Sequence, residues 1–135
     1  MTVKSYSLKI NTNKSFEIID ITSQINNLID IDEGIISIFS KHSTSAIVVN
    51  ENESGLLNDL EFTLDNLIDD KFSYKHDKID NNAKSHLKSF LLSSSESLPI
   101  KNLKLDLGTW QSVFFIELDG PRRSGRTVTL TMVGE

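Results

Sequence analysis

The sequence contains no cysteine, which excludes disulfides, thiolate zinc sites, iron–sulfur clusters and a cysteine nucleophile, and leaves the compartment unfixed. Long apolar runs are missing too. Nothing near Met1 can serve as the core of a signal peptide, and no stretch approaches the roughly 20 apolar residues of a membrane helix, so a soluble, cytoplasmic chain without membrane contact is expected. Basic residues are in deficit: 14 Lys and Arg against 19 Asp and Glu leave a net charge of −5. Phosphate-backbone affinity comes from an excess of Lys and Arg, so no nucleic-acid partner is expected and any anion site has to be local. There is no HExxH pair and no Cys/His zinc spacing, so a metal site would have to be assembled by the fold from distant segments. The missing GxSxG elbow argues against Ser43 or Ser45 as a hydrolase nucleophile, and the missing GxGxxG and P-loop exclude nucleotide binding of those kinds.

At 135 residues with 38% hydrophobic and 24% charged positions, one domain spanning residues 1–135 is expected. A chain of this length can bury about two-thirds of its unfolded surface and needs no staple. Tyr6, Leu8 and Ile10 alternate with polar residues as in a half-buried strand, and Phe16 to Ile19 follow the turn residues Asn11-Thr12-Asn13, which predicts an opening hairpin. Thr22 or Ser23 caps a short helix with Ile25, Leu28 and Ile29 on one face; Gly34 marks its exit into a strand, Ile35 to Phe39, that runs straight into His42. Ala46 to Val49 form another strand, bracketed by His42-Ser-Thr-Ser45 and Asn50-Glu-Asn-Glu53.

Leu56, Leu57, Leu60, Leu64, Leu67 and Ile68 recur at helical spacing and predict an amphipathic helix over about 55–69. After a loop, Asn82 caps a third helix with Ala83, Leu87, Phe90 and Leu91 inward and His86 one turn on, on the same side as Asn82. The last third reads as β: Leu103 and Leu105, a doubly buried Val113 to Ile116, and Val128, Leu130 and Met132 alternating with threonines. Asp119-Gly-Pro121 is a turn, so the arginines that follow are expected at a hairpin tip.

Chemistry concentrates in a few places. His42, His76 and His86 all sit in polar surroundings, and all three arginines, Arg122, Arg123 and Arg126, fall within five residues. Neutral imidazole is the commonest metal ligand and titrates near neutral pH, whereas guanidinium offers a planar fork that matches phosphate or carboxylate. The plainer alternative for the arginines is a solvated hairpin end. In Gly108-Thr-Trp-Gln111 the only tryptophan lies between two hydrogen-bonding side chains, which suits either the core or a pocket for a flat ring.

His42-Ser-Thr-Ser-Ala46, Asn50-Glu-Asn52, Tyr74-x-His-Asp77, Ala83-x-Ser-His-Leu-Lys-Ser89, Gly108-Thr-Trp-Gln111, Gly120-Pro-Arg-Arg123 and the terminal Gly134-Glu135 occur in this order. The set resembles the YjbQ family, once called UPF0047 and now named secondary thiamine-phosphate synthases, over nearly the whole chain from about Tyr6 to Glu135. Ser93 and Ser112 stand where that family usually has glycine. The resemblance implies an α+β domain with two-layered, β-sandwich-like sheets, about three helices, and association into a homotrimer. It also implies a transferase that condenses hydroxymethylpyrimidine pyrophosphate with thiazole phosphate and releases pyrophosphate, as a secondary activity. On that expectation His42, His76, His86 and Glu51 are catalytic, and the three histidines hold a divalent metal, zinc or magnesium. Thr44, Asn50, Asn82, Thr109, Trp110, Gln111, Arg122 and Arg123 bind a phosphorylated substrate. The rival expectation is a trimeric metal- or small-molecule-binding module without catalysis. A third is a polar network that is only structural.

Overall fold

The alternating residues at the two ends of the chain find each other. In a computed structural model that describes residues Met1–Glu135, the elements in chain order are β1 (Thr2–Ile10), β2 (Glu17–Asp20), α1 (Thr22–Leu28), β3 (Glu33–Ser40), β4 (Ser45–Glu51), α2 (Ser54–Leu67), α3 (Ala83–Leu92), β5 (Ser95–Lys101), β6 (Lys104–Leu105), β7 (Gln111–Glu117) and β8 (Arg126–Gly134). β1 runs antiparallel to β8 from Thr2 opposite Gly134 to Ile10 opposite Arg126. β8 also pairs β3, which gives a five-stranded sheet in the order β1-β8-β3-β5-β6; β2, β7 and β4 form a second, three-stranded sheet. Every pairing is antiparallel.

The two sheets enclose the main core. Ile36, Ile38, Val128, Leu130 and Met132 from the larger sheet pack with Ile47, Val113 and Phe115 from the smaller one, and Ile25 of α1 joins them. A smaller cluster, Ala46, Phe114, Ile116 and Leu118, lies on the opposite face under Leu57 and Leu60 of α2 and Leu92 of α3. The three-stranded sheet is therefore covered on both faces, which is why Val113 to Ile116 read as one continuous apolar run. No helix is long and apolar enough to cross a membrane.

Several expectations change. α1 begins after Ile21 and has no side-chain cap from Thr22 or Ser23. β1 and β2 are not a hairpin, because β2 pairs β7 in the other sheet. Thr12, fully buried, marks the crossover: it exchanges main-chain hydrogen bonds with Arg122 and accepts the Arg122 N–H on its hydroxyl at 2.7 Å. For the same reason the arginine segment is no hairpin tip, since β7 and β8 belong to different sheets and residues 118–125 cross between them.

α3 is rotated relative to its apolar stripe: Phe90 (84% exposed) and Leu91 (59%) face outward. Lys88 and Ser89 face inward instead, where Ser89 donates to the Ser45 carbonyl at 2.6 Å and Lys88 reaches Asp65 at 2.7 Å. Lys88 is thus engaged and not a free cation. Asn82 makes no side-chain capping bond to α3. Asp77 accepts the Ala83 N–H at 2.9 Å, which frees the Asn82 amide for other partners.

Candidate functional site

β3 ends at Ser40 and the chain turns through Lys41 to Thr44 before β4 begins. Two bonds fasten this turn to the first residues of β8: Lys41 N–H donates to the Thr127 carbonyl at 3.2 Å, and Thr127 N–H donates to His42 Nε2 at 2.8 Å. A main-chain N–H can only donate, so Nε2 is the unprotonated nitrogen and the neutral ring carries its proton on Nδ1. Burial, and then the nearby Arg126 charge, push His42 below its ordinary value of 6.5 despite the opposing pull of Glu117.

Beneath the turn lies a closed polar knot. Arg126 (4% exposed) grips Glu117 (0%) in a bidentate pair, Nε to Oε1 at 2.9 Å and Nη2 to Oε2 at 2.5 Å. The same Nη2 donates to Thr44 Oγ1 at 2.9 Å; Glu117 accepts further bonds from the Thr12 hydroxyl at 2.7 Å and the Asp119 N–H at 3.1 Å. Burial alone would raise the Glu117 carboxyl, but the hydrogen bonds from Arg126 and Thr12 hold it below its ordinary value. No buried side-chain polar atom in the molecule is left without a partner.

The third wall comes from the start of α3. His76 Nε2 lies 3.0 Å from Asn82 Oδ1, Asn82 Nδ2 donates to Asp119 Oδ2 at 3.0 Å, and Arg122 reaches the same carboxylate oxygen at 3.3 Å and the Asp119 carbonyl at 3.0 Å. With the Asn82 NH2 committed to a carboxylate, its oxygen faces His76, so His76 carries its proton on Nε2. His86 stands edge-on to His76 with ring centroids 4.7 Å apart, and neither of its nitrogens has a hydrogen-bond partner in the chain.

These walls border an open cleft of ≈ 720 Å³ with no hydrophobic lining residue, where Lys41, His42, Asp80, Asn82, His86, Asp119 and Arg122 meet. A second cavity of ≈ 320 Å³ shares His42, Ser43 and His86 with it and adds Ser89, Ser93 and Ser94. The arrangement can receive an anion and move a proton beside it.

Of the expected residues, His42, His86, Thr44, Asn82 and Arg122 line this cleft, and His76 joins through Asn82. Arg123 is exposed and lies outside the lining. Asn50 and Glu51 are at the far end of β4, opposite Ser112 and Gln111, roughly 20 Å from Ser45 at the rise of a strand. They border an apolar groove of ≈ 260 Å³ beneath Leu56, Leu57 and Leu60. Trp110 is 73% exposed, Thr109 is in the same exposed turn, and Gln111 Oε1 accepts the Gly108 N–H at 2.8 Å.

The metal set of His42, His76 and His86 does not assemble: no three His, Asp or Glu side chains are placed to hold one ion. His42 Nε2 and His76 Nε2 are each already in hydrogen bonds. Sequence reasoning missed Lys41, Asp119, Glu117 and Thr12. Glu117, a lone acid ending the run Val113 to Ile116, carried a legible signal for a buried ion pair.

A family profile described as UPF0047 protein YjbQ-like matches residues 6–135. A UPF0047 protein of Methanothermobacter thermautotrophicus is 46% identical over 138 residues, covering 100% of this chain and 95% of that one. UPF0047 protein YugU of Bacillus subtilis is 32% identical, covering 95% and 98%. Among solved structures, a YbjQ-like protein of unknown function from Sulfolobus solfataricus P2 superposes with a TM-score of 0.94 at 39% identity over 99% of each chain. A YjbQ/UPF0047 family protein from Clostridium acetobutylicum gives 0.85 at 35%, covering 96% of this chain and 99% of that one. The chain belongs to the YjbQ (UPF0047) family.

Proposed function

We propose that the His42–His86 cleft binds a phosphorylated small molecule and serves a transferase of the thiamine-phosphate synthase type. In that reaction the bond from the pyrimidine methylene carbon to the diphosphate oxygen breaks, its electron pair leaving on pyrophosphate, and the thiazole nitrogen supplies the pair for the new C–N bond. Departure of pyrophosphate calls for positive charge where negative charge develops. Lys41 and Arg122 supply it, and His86, with both ring nitrogens free, is the group able to give the leaving oxygen a proton. His42 holds the turn in place. The observation that carries this reading is a cleft without apolar lining that sets two cations beside an unengaged imidazole.

The test is formation of thiamine phosphate and pyrophosphate from the two substrates, with and without magnesium. His86→Ala and Arg122→Ala should each lower kcat/KM by about tenfold or more. One observation favours a binding module instead: Arg126 is spent on Glu117 and Arg122 is shared with Asp119. Saturable pyrophosphate binding without product would support that alternative, and absence of both would refute either reading.

We also propose that the chain assembles as a trimer. Support comes from the outer face of the larger sheet, where Ser5, Thr131, Ser37 and Ser97 stand in cross-strand register and the apolar Val3, Ile35, Phe39 and Val133 are exposed beside them. Exposed Trp110 and its neighbour Gln111, outside the cleft of their own chain, are then the candidates to complete the cleft of another copy. Sedimentation of a monomer at micromolar concentration refutes the assembly, and mixing inactive Trp110→Ala and His86→Ala chains should restore partial activity if the site is shared.

A further inference from the structure

The turn between β3 and β4 carries an unmet set of donors. The N–H groups of His42, Ser43 and Thr44 meet no acceptor within the chain, although the flanking Lys41 N–H is bonded. Two of their three carbonyls are used on the inner side: that of His42 accepts from the buried Ser45 hydroxyl at 3.3 Å, and that of Thr44 accepts the Leu118 N–H at 3.1 Å. In a planar trans peptide the carbonyl and the following N–H point in opposite directions. The Ser43 N–H is therefore aimed away from the Ser45 hydroxyl, toward the outside of the turn. Thr44 is only 5% exposed, and a buried main-chain N–H without an acceptor is costly enough to be rare in native proteins. All three residues line the polar cleft with Lys41 and Arg122.

We propose that this turn is the anion seat of the cleft, where the oxygens of a phosphate or diphosphate ester accept from the successive N–H groups of His42, Ser43 and Thr44 while Lys41 and Arg122 close over it. Successive turn amides make such concavities because their dipoles converge and need no side chain to order. The inference rests on the anion-handling reading above and changes its geometry, since the phosphate is held chiefly by main chain and not by an arginine pair. It also gives His42 a reason to be fixed: by accepting the Thr127 N–H, its ring holds the turn that presents the three donors.

The test is a 15N-resolved amide titration of the full chain with inorganic phosphate, with chloride at matched ionic strength as the control. Saturable shifts in the millimolar range, largest at His42, Ser43 and Thr44, are expected. Arg122→Gln should weaken binding by about tenfold and leave the same three amides as those that move. Saturable binding that leaves these amides still and moves those of Arg123 and Ser124 overturns the seat but spares the anion-handling reading. If no amide shifts saturably, the seat is overturned, and the product assay run on the same preparation decides separately whether the catalytic reading falls with it.

Discussion

Replacing Glu117 by Gln tests the polar knot beneath the cleft directly. The carboxylate takes four hydrogen bonds, two from Arg126 and one each from the Thr12 hydroxyl and the Asp119 N–H. Glutamine keeps the shape, but it removes the charge and turns one acceptor oxygen into a donor facing other donors. The Arg126 guanidinium, 4% exposed, is then left charged without a counter-ion. Breaking a buried pair on one side costs about 3–5 kcal/mol, which for a domain of this size is a fall of roughly 10–20 °C in melting temperature. The Glu117 carboxyl lies below its ordinary value of 4.5 in the folded chain. Its contribution is therefore complete above pH 4.5 and is lost as pH falls through the lowered native value. That part of the acid limb should vanish in Glu117→Gln. Urea unfolding at neutral pH gives the magnitude, and a pH series gives the sign. A loss below about 1 kcal/mol, within the range of ordinary surface changes and exposed ion pairs, would refute the reasoning. In a double-mutant cycle, Glu117→Leu with Arg126→Met should recover part of the loss because no charge is then stranded.

Other substitutions have definite expectations. The folded-state value of His42 lies below 6.5, so stability should be complete above that pH and decline as pH falls from 6.5 through the native value; His42→Gln should flatten this limb in thermal melts between pH 4 and 8. Ser93 adopts φ 75° and ψ 157°, a region costly for a residue with a Cβ. Ser93→Gly should therefore stabilise by about 1 kcal/mol after the extra unfolded-state entropy of glycine is subtracted, a gain measurable as a higher urea midpoint. Arg122→Ala should weaken pyrophosphate binding by about tenfold, whereas Arg123→Ala, outside the cleft, should stay within about ±0.5 kcal/mol in both affinity and stability. Equal effects at the two arginines in calorimetric titration would put the anion elsewhere.

β7 and β8 were readable because their pattern reports burial directly, whereas the serine-rich start of β5 gave no such pattern. Val128, Leu130 and Met132 alternate since one face of β8 meets the core, and Val113 to Ile116 run unbroken since both faces of their sheet are covered. Connections were not readable in the same way. Residues 11–16 and 118–125 carry turn chemistry that suits a hairpin as well as a crossing between layers, and the choice is made by Thr12 meeting Arg122 about 110 positions away. Periodicity turns Phe90 and Leu91 of α3 inward because it assumes the apolar stripe faces the core, and the structure exposes both. Here β4 needs polar cover for the Ser45 carbonyl, and Ser89 provides it. The histidines were legible as chemical residues, and their tautomers were not, because those depend on Thr127 and Asn82. Within one chain Asn50 and Glu51 lie away from the histidines for a geometric reason: a strand separates its ends, and β4 keeps the two polar motifs that bracket it apart.

A buried ion pair is weak evidence for stability, since well-packed apolar residues of similar volume often do as well. What apolar residues cannot do at positions 117 and 126 is hold other segments by direction. The pair fixes Thr12 at the crossing from β1, Thr44 at the end of the β3–β4 turn, and the Asp119 N–H at the start of the last crossing. Asp119 then orients Asn82 and Arg122, and Asn82 orients His76. Two sheets, a turn and a helix start thus share one electrostatic reference point, and the cleft lies where they converge. Such a lining is held before any ligand arrives, so little ordering has to occur on binding, and its donors can act on a developing charge without first reorganising. On this argument the Glu117–Arg126 pair serves the cleft more than the core. Its apolar replacement should give a chain that folds with its sheets intact and binds phosphate poorly.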